Sequence, residues 1–135
     1  MSRALVALPL VLAALAAGCA GNPSSTSEFE GEEQNVADTV EKLQTAGETG
    51  DAKTICDDLL ASALREQVQA AGSTCEQELD KALADSDDFD LEVEDVTVSG
   101  STATAKVRAR VGDEDAVRDL GFVREGADWR VNKLE

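Results

Sequence analysis

The chain has no histidine and no tyrosine, a single tryptophan and three phenylalanines among 135 residues. The commonest general base and the phenolic acid are therefore missing from any catalytic scheme, which would need a positioned group titrating near the working pH. Basic residues are also scarce. Twelve Lys and Arg stand against 28 Asp and Glu, for a formal net charge of -16. Nucleic-acid affinity rests on cations neutralising phosphates, so this balance excludes that partner. It also opposes direct docking on an anionic bilayer surface.

Cysteine is rare too, with three in the chain. Two of them, Cys56 and Cys75, lie within helical patterns, whereas Cys19 follows the uncharged apolar stretch Ala4 to Ala17. That stretch is shorter than the ~20 residues a helix needs to span a bilayer core. It has the length of the apolar region of a signal peptide, here with Arg3 as its basic residue.

The charge that is present is unevenly placed. From Cys19 to Asp95 there are 21 acidic and 4 basic residues, whereas from Val96 to Glu135 there are 7 of each. The acidic field therefore belongs to the first part of the chain, where it reads as a solvated helical face.

The segment Ala16-Ala17-Gly18-Cys19 resembles the lipobox of bacterial lipoprotein signal sequences: an apolar residue, two small residues, then an invariant Cys. Ala16 stands where Leu is commoner. The resemblance implies cleavage before Cys19 and acylation of its thiol, with palmitate-type chains anchoring the mature protein on the extracytoplasmic face of a membrane. One acyl chain binds a membrane only marginally, whereas two or three on one cysteine hold it durably. An ordinary secretory signal cut after Ala17 or Gly18 is the alternative. Residues 1–18 are thus expected to be a signal peptide and 19–34 a lipidated tether. Gly21 to Gln34, "GNPSSTSEFEGEEQ", is too polar to offset the entropy of ordering. A folded domain is expected over 35–135.

Within that domain, Val36, Val40 and Leu43 fall on one helical face, and Gly47 and Gly50 close the helix. Asp51 can cap a second helix carrying Ile55, Leu59 and Leu60. A third takes Ser62 as its cap, and a fourth opens with Ser73 and Glu76 spaced as a capping box. The period then shortens to two. Phe89, Leu91 and Val93 alternate with acids, and the phase shift at Glu94-Asp95 predicts a β-bulge. Ala103, Ala105, Val107, Ala109 and Val111 alternate with Thr102, Thr104, Lys106, Arg108 and Arg110, which places the two arginines on the outward face. Two more strands follow, about Ala116 to Arg124 with Gly121 as a bulge candidate, and "WRVNKL". Helices followed by an antiparallel meander predict an α+β fold with helices on one sheet face.

With Cys19 acylated, Cys56 and Cys75 form an even pair in an extracytoplasmic protein. A disulfide is the leading expectation, ahead of free thiols. Two cysteines without histidine are too few ligands for structural zinc, and they lack the Cys-x-x-Cys redox spacing. No metal or other cofactor is expected. The acid cluster "DSDDFD" from Asp85 fails the EF-hand pattern, with Asp90 where the loop requires Gly.

"GDAKTICDDLL", a second cysteine about 20 residues on, "VTVSGSTATAKV" and "FVREGADWRVNKL" together resemble small actinobacterial secreted proteins of the nuclear transport factor 2-like, or cystatin-like, superfamily. The resemblance covers Asn35 to Glu135. It implies a curved four-stranded antiparallel sheet wrapped around helices into a cone that is often hollow, with Phe122 and Trp129 as candidate pocket residues. Some members are isomerases or dehydratases and many are not enzymes, so the fold alone does not assign an activity. The leading expectation is a lipid-anchored, non-catalytic module that binds a small apolar ligand or a protein partner; a homodimer through the sheet is a further expectation. The rival is an isomerase or hydrolase working with carboxylates alone, which would require a buried Asp or Glu.

Overall fold

The structure is a computed structural model, and it describes residues 29–84 and 88–135. Cys19 with its lipobox, and Asp85 and Asp87 of the acid cluster, lie outside the described residues.

Helix α1 spans Gly31–Thr49 and buries Val36, Ala37 and Val40. It starts four residues before the expected Asn35, and Phe29 just ahead of it packs on the core. Glu32 and Glu33 in its first turn suit the positive end of the helix dipole. Gly50 closes the helix at φ 68°, donating its N–H to the Ala46 and Gly47 carbonyls. Gly47, by contrast, lies inside the helix. A Cβ there would stand 2.3 Å from the Phe89 ring, so glycine admits an aromatic side chain against the helix backbone.

Asp51 caps the next segment by accepting the Thr54 N–H at 3.1 Å. This helix, α2 (Ala52–Thr54), runs straight into a π-helical turn, Ile55–Leu59, closed by the Leu60 N–H on the Ile55 carbonyl at 2.9 Å. Leu60 then extends and bridges Val131 in parallel, and Ala61 donates to the Val131 carbonyl at 2.8 Å. Arg130 holds the end of the turn by donating to the Asp57 carbonyl at 2.7 Å.

Helices α3 (Ser62–Ala70) and α4 (Cys75–Ala84) follow. Ser62 is the first residue of α3 rather than its cap. Its N–H and hydroxyl both bond the Glu125 carboxylate, at 3.1 and 2.8 Å. The capping box of α4 is Thr74 with Gln77, one position later than expected. Thr74 Oγ1 accepts the Gln77 N–H at 3.2 Å, and Gln77 Oε1 accepts the Thr74 N–H at 3.3 Å.

The sheet is antiparallel with order β1-β2-β3-β4, comprising Phe89–Ser99, Thr102–Val111, Glu114–Glu125 and Asp128–Leu134. Each hairpin has a two-residue loop led by glycine with φ between 61° and 64°, at Gly100, Gly112 and Gly126. Glycine in the first central position is the requirement of a II′ turn, whose twist matches that of the strands. The β1–β2 register shifts between Val93 and Asp95, as the phase change predicts; the β3–β4 register shifts between Gly121 and Phe122, but the extra residue there is Asn132 of β4 rather than Gly121. These bulges bend the sheet around the helices. The outward face is polar, with Arg108 paired to Glu94 and Asp115 at 3.2 and 3.4 Å. The inner face carries Val93, Val96, Ala105, Val107, Phe122 and Val131 into one core shared with α1 and the π turn.

Candidate functional site

The Cys56–Cys75 disulfide joins the π turn to the first residue of α4, with Cα atoms 6.0 Å apart. Both sulfurs belong to buried residues. Cys75 is the one buried residue of α4, so the bridge is what fastens this helix to the domain. The rest of its inner face, Leu79 and Leu83, is half-buried.

Those two leucines look into a cavity of about 300 Å³ between the helices and the inner sheet face. Leu43 of α1, Ile55 and Leu60 around the π turn, Phe89 and Leu91 of β1, and Val107 and Ala109 of β2 supply much of the remaining wall. The volume falls at the lower end of the range for small-molecule sites, and such sites are mostly apolar with few polar groups. The sheet is therefore not packed solid against the helices. Small side chains at Ala109 and Ala116 leave the space, and the π turn aims Ile55 and Leu60 at it.

Two charged side chains reach this wall, Glu114 and Arg118, both on β3 and both exposed. They share the inner face of the strand with Ala116 and Leu120, in alternation. Leu134, paired with Leu120 in register and 65% exposed, stands on the same rim. The rim is thus apolar at one point and charged at two.

Of the two candidate pocket residues, neither lines this cavity. Phe122 is 1% exposed and belongs to the packed core. Trp129 reaches a different depression, an open groove of about 880 Å³ between α1, the Asp51–Leu59 stretch and the start of β4. The indole itself is 3% exposed. Its N–H donates to Glu32 Oε2 at 2.8 Å, and the Arg124 guanidinium lies over its ring at 5.0 Å while also pairing with Glu32. The Trp129 hydrogen bond, and then that of Arg124, hold the Glu32 carboxyl below the ordinary glutamate value. The groove walls are polar, with Asp38, Asp51, Asp58 and Asp128 among them, and read as solvated surface. Among the described residues no cluster of three or more His, Cys, Asp and Glu is placed to hold a metal ion.

The cavity could not be found from the sequence, because its wall is drawn from three helical segments and four strands. A hint was legible in the alanines of β2 and β3, which are too small to fill the concave side of a sheet.

No protein-family model and no curated protein matches the chain. Among solved structures, it is similar to an NTF-2-like protein of unknown function from Silicibacter pomeroyi DSS-3, with a TM-score of 0.54 at 14% identity, over 82% of this chain and 99% of that one. A de novo designed NTF2 fold protein aligns at a TM-score of 0.44 and 12% identity, over 81% of this chain and 85% of that one. The first likeness is one of fold: the described residues adopt an α+β fold like that of NTF-2-like proteins, with helices on an open four-stranded antiparallel sheet.

Proposed function

We propose that this protein binds a small apolar ligand inside the cone, without catalysing a reaction on it, while held at the extracytoplasmic face of a membrane by acyl chains on Cys19. The cavity carries the binding reading: about 300 Å³ walled almost wholly by Leu, Ile, Phe, Val and Ala. Burial of a ligand there gains roughly 25 cal/mol per Å² of apolar surface removed from water. The non-catalytic reading is supported by the character of the wall. Among the described residues its one carboxylate, Glu114, is exposed at the rim rather than buried in the apolar wall, where carboxylate catalysis would need it. The anchor is supported by Ala16-Ala17-Gly18-Cys19 and by the polar stretch that follows it. A tether of that length reaches ~20 Å root-mean-square, enough to lift the domain clear of the headgroups.

The binding test is uptake of a neutral fluorescent probe such as N-phenyl-1-naphthylamine by the chain carrying Cys19→Ser. Saturable, one-to-one enhancement is expected, and it should be lost in Ala116→Phe, which fills the cavity from its wall. Equal uptake by both proteins, or none by the parent, overturns the reading.

A further inference from the structure

The charged rim of the cavity narrows the ligand class. Arginine is scarce here, and most of the arginines are engaged: Arg108 with Glu94 and Asp115, Arg110 with Asp90, Arg124 with Glu32, and Arg130 with the Asp57 carbonyl. Arg118 makes no ion pair and no side-chain hydrogen bond among the described residues, although the chain has 28 acidic residues to offer. It lines the cavity beside Ala116 and Leu120.

Glu114 does not neutralise it. The two stand four residues apart on one face of β3, about 14 Å along an extended strand, which is beyond the ~8–10 Å over which exposed charges act in physiological salt. The nearest carboxylates by register, Asp119 and Glu135, fall on the opposite face by alternation, and Glu135 is paired to Lys133.

We infer that the cavity takes a straight-chain amphiphile with an anionic head, a medium-chain carboxylate, whose tail fills the apolar space while the Arg118 guanidinium receives the carboxylate at the rim. The inference rests on the cavity being a ligand site. Guanidinium is the suitable donor because its planar fork matches the two oxygens of a carboxylate. The tail supplies most of the affinity, and the head sets its orientation, with Leu134 covering the first methylenes.

Calorimetric titration of the Cys19→Ser chain with decanoate, decanol and decylamine tests this. Decanoate should bind tightest, and its affinity should change about fourfold per methylene across the homologous acids. Arg118→Gln should weaken decanoate three- to tenfold and leave decanol within twofold. If decanol or decylamine matches decanoate, or Arg118→Gln leaves decanoate unchanged, the anionic-head inference falls while the apolar site stands. If none of the three binds saturably to a folded protein, both fall.

Discussion

The Glu32 carboxylate accepts the Trp129 indole N–H at 2.8 Å across 97 positions of sequence. The bond ties the first turn of α1 to the β3–β4 hairpin, at the point where the tether meets the domain. Arg124 closes the triangle, stacked over the indole and paired with the same carboxylate. Because the folded state holds the Glu32 pKa below its ordinary 4.5, it favours the ionised carboxylate. The stability this contributes is complete above about pH 4.5 and is lost as the pH falls through the lowered value. Glu32→Gln should therefore be less stable than the parent at pH 7, and the gap should close in acid. Urea midpoints of both proteins from pH 7 to pH 3 measure it; a gap that stays constant with pH would show that the ionised carboxylate contributes nothing.

Opening the Cys56–Cys75 bridge should cost stability and ligand affinity together. The bridge spans 19 positions, and closing a loop of that size is worth about 3 kcal/mol in the chain-entropy model. α4 has no other buried residue, so reduction also frees Leu79 and Leu83 from the cavity wall. Cys56→Ala/Cys75→Ala should lower the unfolding free energy by roughly that amount and weaken probe uptake in the protein that remains folded. Unchanged uptake would show that α4 docks without its bridge.

Much of the fold was legible in residue periodicity. The alternation Ala103, Ala105, Val107 buries one face of β2, and the bulge at Glu94-Asp95 lies where the parity breaks, whereas at the β3–β4 shift beside Gly121 the extra residue is Asn132 of β4. Cap positions were legible only to within a residue. Ser73-x-x-Glu76 and Thr74-x-x-Gln77 overlap in the sequence, and the second forms the reciprocal hydrogen bonds. The helix begins ahead of the apolar pattern at Val36, and Glu32 in its first turn bonds Trp129 and Arg124 from the far end of the chain, contacts that no local pattern reports. The same reason hid the cavity: no local pattern reports a space between Leu83 and Ala109.

Gly47 gives the cavity a second handle. An alanine Cβ at this position would meet the Phe89 ring at 2.3 Å. Overpacking of this kind costs about 1–3 kcal/mol, against a helix-propensity gain of about 1 kcal/mol. Gly47→Ala should be net destabilising, and it should reduce probe uptake because Phe89 lines the cavity and must move. Phe89→Leu in the same chain should restore much of the loss, since contacting residues are not additive. Thermal denaturation of the two single variants and the double variant measures the coupling; additive losses would mean that the ring and the glycine do not interact.

Cys19→Ser separates the anchor from the fold. No helix among the described residues is long and apolar enough to cross a membrane, and the domain carries a net charge that anionic headgroups repel. The proposed attachment is the set of acyl chains that the lipobox resemblance implies on Cys19, and two or three chains hold far more firmly than one. The variant should lose labelling by radioactive palmitate and move from the membrane pellet to the soluble fraction. Its Cys56–Cys75 bridge and its melting temperature should not change, because the site lies ahead of the helices and strands that build the core. Persistent membrane attachment of the serine variant, at high salt and with the bridge intact, would refute lipid anchoring.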